Sequence, residues 1–109
     1  MKKYTLREVC EMTGVSRRAI QGYEKAGLVR SSGKNERGYL LYDEERVERI
    51  KTVRLFQQFG FTVKEIAGII DAQREDLKAL LEKQLIRLET DAAAKQEIIC
   101  KLKQLINEI

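Results

Sequence analysis

The sequence contains no histidine and no proline, and only two cysteines among its 109 residues. Without histidine, the chain lacks the side chain most often used for general acid–base catalysis. The absence of proline leaves long helices uninterrupted. Cys10 and Cys100 lie far apart, without a CxxC or Cys/His cluster, so we expect two buried apolar thiols, no metal site and no cofactor.

Long hydrophobic runs are also missing. No apolar stretch approaches the roughly 20 residues that a membrane span needs. The opening MKKYTLREV does not read as a signal peptide, because acidic residues follow within a few positions. We therefore expect no membrane contact and a cytoplasmic location for a chain that is long enough for one small core.

Positive charge is concentrated at the N-terminal end of the chain. Residues 1–42 contain nine Lys/Arg against four Asp/Glu, whereas residues 71–109 contain seven against eight. A local basic excess of this kind is what polyanion binding needs, because neutralised phosphates release condensed counterions. Taken alone it is a weak signal, since a solvated basic face would look similar.

A capping box opens the first predicted helix. Thr5 is followed three residues later by Glu8, so that each side chain can accept a hydrogen bond from the other residue's backbone. This helix should run to about Met12 and bury an apolar face made of Leu6, Val9, Cys10 and Met12. A tight turn at residues 13–15 then contains a glycine.

A second short helix follows the turn. Ser16 is a good N-cap, and the helix should end at about Ala26, where Gly27 can adopt the left-handed conformation. Two short helices joined by a glycine-containing turn form a helix-turn-helix.

The second helix has two chemically different sides. The 3.6-residue period directs Ala19, Ile20 and Tyr23 toward the interior. The other side has no acidic residue and presents Arg17, Arg18, Gln21, Gly22 and Lys25. Arginine can pair with guanine or clamp a phosphate, glutamine can pair with adenine, and a mid-helix glycine suggests a close approach to the backbone. We interpret this side as a major-groove surface; the alternative is a solvated basic face.

Residues 28–42, LVRSSGKNERGYLLY, break the helical period. The polar loop 31–38 contains Lys34 and Arg37, and its apolar flanks at 28–29 and 39–42 predict a two-stranded ribbon, a basic wing beside the helix-turn-helix.

Two more helices should follow the wing. One should be capped by Asp43, run to about Gln58 and bury Val47, Ile50, Val53 and either Leu55 or Phe56. The other should begin at a capping box formed by Thr62 and Glu65 and run to Ile70. Phenylalanines 56, 59 and 61 should form the core between these two helices.

These elements together resemble a known family. The stretch YTLREVCEMTGVSRRAIQGYEKAGLV, followed by RGYLLYDEERVERIKTVRLFQQFGFTVKEI, is similar to the winged helix-turn-helix domain of the MerR family of bacterial transcription regulators. The resemblance covers about residues 4–70. It implies a dimer that binds a pseudo-palindromic promoter element and, in activating members, distorts the promoter for RNA polymerase.

The resemblance also suggests which residues contact double-stranded DNA. Together with the outward helix face it predicts Ser16, Arg17, Arg18, Gln21, Gly22, Tyr23, Lys34, Arg37 and Tyr39. The chain departs from the family at Gln21 and Gly22, where an arginine and a tyrosine are usual, and at Leu40, where an arginine is usual. These departures imply an unusual operator preference or a low intrinsic affinity.

The C-terminal third has a coiled-coil pattern. Apolar or small residues recur in steps of three and four, interrupted only at Lys95, at Leu77, Leu81, Leu85, Leu88, Ala92, Ile99, Leu102, Ile106 and Ile109. A stripe about 50 Å long needs a partner, and the simplest is the same helix of a second chain. The alternative is packing on its own domain or on another protein. The resemblance implies an antiparallel pair.

We therefore predict a mainly α protein, with a winged helix-turn-helix domain at residues 1–72 and a dimerisation helix at 73–109. No nucleophile has a base at suitable spacing, and no glycine loop fits a phosphate, so we expect no enzyme. The expected function is a homodimeric promoter-binding transcription regulator. The rival hypothesis is a DNA-architectural or protein-interaction accessory factor with the same fold.

Overall fold

The computed structural model describes residues 2–109. Its elements follow the chain as β1 (Lys3–Thr5), α1 (Leu6–Thr13), α2 (Arg17–Lys25), β2 (Gly33–Lys34), β3 (Leu40–Asp43), α3 (Glu44–Gln58), α4 (Val63–Ile69) and α5 (Arg74–Glu108). The fold is mainly α, as the sequence predicts. The chain divides into two compact units, one ending at Asp71 and the other running from Ala72 to Ile109.

The helices of the first unit begin at the predicted N-caps, which are Thr5, Ser16, Asp43 and Thr62. In the first capping box, the Thr5 backbone N–H donates to Oε1 of Glu8 at 2.9 Å, and the Glu8 N–H donates to Oγ1 of Thr5 at 3.3 Å. Hydrogen bonding to Thr5 lowers the pKa of the Glu8 carboxyl below its ordinary value. Local sequence chemistry therefore fixes where each helix starts.

The sheet differs from the predicted two-stranded ribbon. It has three strands in the order β1-β3-β2, and both outer strands run antiparallel to β3. Residues 28 and 29 do not form a strand; both side chains, Leu28 and Val29, are buried in the core. The ribbon partner of β3 is the two-residue strand Gly33–Lys34, and β1 was not predicted.

The core of the first unit lies where α1, α2, α3, α4 and β3 meet. Its fully buried side chains are Val9, Ile20, Tyr23, Tyr42, Ile50, Val53 and Ile66. Phe56 packs against Phe59 and Phe61, with ring centroids 6.0 and 6.1 Å apart, as predicted for the core between α3 and α4. Of the two alternatives on α3, Phe56 is the buried one and Leu55 is 45% exposed.

Two predictions of burial are wrong. Met12 is 46% exposed, because the last turn of α1 leads its side chain away from the core. Cys10 is only half-buried, and Cys100 is exposed on α5, as are the seam residues Ile99 and Leu102 beside it.

The second unit consists of α5, a single helix of 35 residues. At a rise of about 1.5 Å per residue it is roughly 50 Å long. Leu77 and Leu81 are half-buried, while the remaining seam residues are all exposed, with Leu88 at 42% and Ile106 at 62%. The apolar stripe of α5 thus stays largely uncovered in the single chain.

Candidate nucleic-acid interface

The outward face of α2 is polar and basic. Ser16 caps the helix through its Oγ, which accepts the Ala19 N–H at 3.1 Å, so that α2 begins at Arg17. The exposed residues on this face are Arg17, Arg18, Gln21, Gly22 and Lys25. Ile20, on the opposite face, is completely buried. The core therefore fixes the orientation of α2 and leaves five polar or small residues open to solvent.

Gly22 has no role in the packing of the fold. A Cβ atom at this position would meet no heavy atom within 4 Å, and its backbone is ordinary helix. Glycine in a helix interior costs about 1 kcal/mol relative to alanine. Because neither packing nor a positive φ requires this glycine, its effect is to leave the α2 backbone bare on the side facing solvent.

Tyr23 does not belong to the exposed face. Its side chain is 1% exposed and its hydroxyl donates a hydrogen bond to Oε1 of Gln57 on α3. Burial raises the pKa of the Tyr23 phenol, and the positive charge of nearby Arg54 partly opposes that shift. We therefore correct its predicted role: Tyr23 anchors α2 to α3 and is not exposed to contact DNA.

The wing is a turn built around Asn35. Its Oδ1 accepts hydrogen bonds from the backbone N–H groups of Arg37 and Tyr39, both at 3.0 Å. Gly38 has a φ of 82°, a left-handed conformation that favours glycine. The turn leaves Lys34 and Arg37 exposed, and the Tyr39 ring is 57% exposed. The basic tip predicted from the sequence is thus held in a defined shape.

A buried contact ties the wing strand to α2. Tyr42 on β3 is fully buried, and its hydroxyl donates a hydrogen bond to a carboxylate oxygen of Glu24 on α2. Burial raises the pKa of Tyr42 strongly, and the hydrogen bond to Glu24 adds to that rise. This bond joins the two elements that carry the predicted DNA contacts.

A surface groove of about 550 Å³ runs between the start of α1, the start of α2 and the wing. Its lining consists of Thr5, Leu6, Arg7, Arg17, Gly38, Tyr39 and Leu40. It brings Arg17 and Tyr39 together, whereas Arg18, Gln21, Lys34 and Arg37 lie outside its lining. Arg7 was not predicted as a site residue, because its place beside the wing depends on the pairing of β1 with β3.

A bidentate ion pair lies at the end of the first unit. Arg49 on α3 donates from its two terminal nitrogens to both oxygens of Asp71, at 2.8 and 2.9 Å, and from Nε to the carbonyl of Leu28 at 2.9 Å. The guanidinium holds the pKa of the Asp71 carboxyl below its ordinary value. This bidentate pair anchors the segment that precedes α5.

The predicted dimerisation residues all lie on α5 or at its end. From Leu85 to Ile109 every one of them is exposed, and the exposed fraction rises to 98% at Ile109. Ion pairs stand on the same helix, Lys78 with Glu82 at 4.0 Å and Lys101 with Glu97 at 3.9 Å. The helix therefore combines an uncovered apolar seam with charged flanks.

Two other kinds of feature are missing from residues 2–109. No group of three or more Cys, Asp or Glu side chains in this part of the chain is arranged to hold a metal ion. No helix among the same residues combines the length and apolarity that crossing a bilayer requires.

Comparisons with known proteins agree with this geometry. Residues 4–73 match the family described as MerR HTH family regulatory protein. Over 107 residues the chain is 32% identical to the HTH-type transcriptional activator mta of Bacillus subtilis and 29% identical to the nodulation protein NolA of a Bradyrhizobium strain. The matches cover 98% of this chain but only 37% of mta and 45% of NolA, so the chain spans less than half of either relative.

A solved structure has the same architecture. The N-terminus of the Bacillus subtilis multidrug transporter activator, MtaN, superposes with a TM-score of 0.78 at 29% sequence identity. The match covers 94% of this chain and 97% of the MtaN chain.

Proposed function

The chain belongs to the MerR HTH family of regulatory proteins, and we propose that it is a sequence-specific DNA-binding transcription regulator that acts on a promoter dyad in the cytoplasm. In this proposal α2 enters the major groove and the wing lies along the phosphate backbone. The transcriptional activator mta, a relative over nearly the whole chain, is in keeping with a regulatory role.

The observation behind this proposal is the exposed face that α2 and the wing form together. Arg17, Arg18 and Gln21 are exposed on a helix held in place by buried Ile20, and Arg37 is exposed at the tip of an ordered turn. Arginine and glutamine can read base edges in the major groove, whereas a wing arginine suits phosphate oxygens. Bare backbone at Gly22 leaves room for a close approach of DNA.

We also propose that the active species is a homodimer joined by antiparallel α5 helices. Exposed apolar side chains along roughly 50 Å of helix favour association, because burial removes them from water. A two-fold symmetric dimer would present two copies of α2 to two half-sites, which suits a pseudo-palindromic element. Distortion of the promoter and contact with RNA polymerase belong to the same proposal.

Footprinting on the intergenic DNA beside the gene tests this function. We expect protection centred between the two promoter elements, with enhanced cleavage where the duplex is distorted. Protection outside promoters, or no protection at protein concentrations that saturate a generic duplex, would contradict promoter regulation and favour an architectural accessory factor.

A further inference from the structure

The groove between α1, α2 and the wing has the chemistry of an anion site. Its lining contains two arginines, Arg7 and Arg17, and the phenol of Tyr39, and it includes no carboxylate. Arginine pairs bidentately with phosphate oxygens, and a tyrosine hydroxyl can donate to one. The wing itself contributes Leu40, an apolar side chain, so the cations of this groove come from α1 and α2.

The position of Arg7 is not explained by the stability of the fold. Its side chain is 85% exposed, and its ion pair with Glu11 has an Nε to Oε1 distance of 3.5 Å. Exposed pairs of this kind contribute little to stability. Arg7 is also the second residue of α1, where the positive end of the helix dipole disfavours a cation. A negatively charged ligand in the groove would offset that unfavourable placement.

We propose that Arg7 contacts the DNA backbone, forming with Tyr39 a phosphate-binding site at the start of α1, in the groove that Arg17, to which we assign base readout, also lines. This inference rests on the proposed function, because the phosphate belongs to the duplex that α2 reads. Arg7 lines the groove from α1, so each half-site is contacted by α1 as well as by α2 and the wing. The contact strengthens binding to every sequence and does not select among sequences.

The test measures duplex affinity of the full chain by fluorescence anisotropy, with a selected duplex and its scrambled version, at about 50 and about 200 mM salt. The variants are Arg7→Ala, Arg7→Lys and Glu11→Gln. Arg87→Ala, at an exposed position on α5, is the matched control because it removes the same charge from the second unit.

We expect Arg7→Ala to weaken binding of both duplexes about tenfold, because it removes charge-assisted hydrogen bonds to phosphate. The slope of the logarithm of the binding constant against the logarithm of the salt concentration should become shallower by about one unit per subunit. Arg7→Lys should keep most of the slope, because the charge remains. Glu11→Gln should bind as well as the wild type or better, since it removes a carboxylate that competes for Arg7.

Two results would overturn the inference. Arg7→Ala binding both duplexes like Arg87→Ala would show that Arg7 does not touch DNA. Glu11→Gln weakening binding as much as Arg7→Ala would show that the pair only supports α1. If Arg17→Ala still weakens binding in either case, the proposed function stands without the Arg7 contact. If the wild-type chain shows no salt-dependent affinity for duplex DNA, both the proposed function and this inference are contradicted.

Discussion

The two units of the chain treat their apolar side chains in opposite ways. In the first unit Val9, Ile20 and Ile50 are completely buried, whereas in α5 Leu102 is 56% and Ile106 62% exposed. The first unit therefore satisfies the hydrophobic effect within one chain, and α5 does not. The difference is in keeping with the proposals that the first unit reads DNA and that α5 pairs with a second copy of the chain.

The first unit contains local ion pairs and also one that links distant parts of the chain. Arg49 and Asp71 form a bidentate pair between residues 22 positions apart in the first unit. On α5 the pairs join residues four apart at 3.9 and 4.0 Å, along the surface of one helix. Such local pairs stabilise a helix by only a few tenths of a kcal/mol, so the proposed burial of the seam in a dimer would contribute far more to the stability of α5.

Breaking the seam should have the largest effect. Leu88→Asp or Leu102→Asp should convert a homodimer into a monomer, because a buried unpaired carboxylate is costly in a coiled-coil interface. A chain ending at Ala72 should be monomeric, because it has no seam at all. Sedimentation velocity at micromolar concentration measures the oligomeric state. A truncated chain that still sedimented as a dimer would contradict the assignment of α5 as the interface.

Creating a cavity in the core of the first unit should have the next largest effect, a loss of folding stability. Ile50→Ala removes a fully buried side chain of α3 and should lower the free energy of unfolding of the 1–72 fragment by about 2 to 5 kcal/mol. Leu55→Ala, on the same helix but at a 45% exposed position, is the control and should change it little. Urea titration measures the free energy of unfolding of both variants. An equal decrease in the two variants would mean that the core is wrongly located.

Within the DNA face, Arg17→Ala should cost roughly 1 to 3 kcal/mol at the cognate site and relax the sequence preference, because we assign base readout to Arg17. Arg17 and Gln21 are four residues apart and lie one above the other near the start of α2. The affinities of the wild type and of Arg17→Ala for cognate and scrambled duplexes test this assignment. Equal losses on the two duplexes would make Arg17 a backbone clamp and shift base readout to Gln21 or Arg18.

A smaller and different effect is expected in the wing. Arg37→Ala should weaken binding to cognate and scrambled duplexes alike, because we assign Arg37 to the phosphate backbone. The salt slope should become shallower by about one unit for each phosphate that Arg37 no longer neutralises. Titration of both duplexes at two salt concentrations checks this. A weakening confined to the cognate duplex would show that the wing reads bases.

The smallest effect concerns the pH dependence of the first unit. Arg49 lowers the pKa of Asp71, so the stabilisation is fully present above the ordinary value of 3.8 and is lost as the pH falls through the lower folded-state value. Asp71→Asn should reduce the free energy of unfolding by less than about 1 kcal/mol near neutral pH, because Asp71 is exposed. Unfolding titrations should find this difference shrinking below pH 3.8; a difference that grew in acid would contradict the ion pair.

Local chemistry made much of the fold predictable. The N-caps Thr5, Ser16 and Asp43 act on backbone groups three residues away, so the sequence alone identifies them. The strand β1 could not be predicted, because its three residues form a strand only by pairing with β3, some 40 positions later.

The candidate site was predictable where one helix defines it. The exposure of Arg17, Arg18 and Gln21 follows from the helical period. The helical period also predicts the burial of Tyr23. Only the resemblance to the family suggested Tyr23 as a DNA contact, and its burial argues against that role. Arg7 was missed because its groove is assembled from three separate elements, which no local pattern reveals.

In the proposed assembly, a dimer built on α5 presents two copies of the α2 face to one operator. Selection from a random duplex library with the full chain, repeated with a chain ending at Ala72, tests it most directly. We expect the full chain to enrich a dyad whose half-sites face the same side of the duplex, about one helical turn or a multiple apart, and the truncated chain not to enrich it. Enrichment of a single asymmetric site by the full chain, or of the same dyad by both chains, would contradict it.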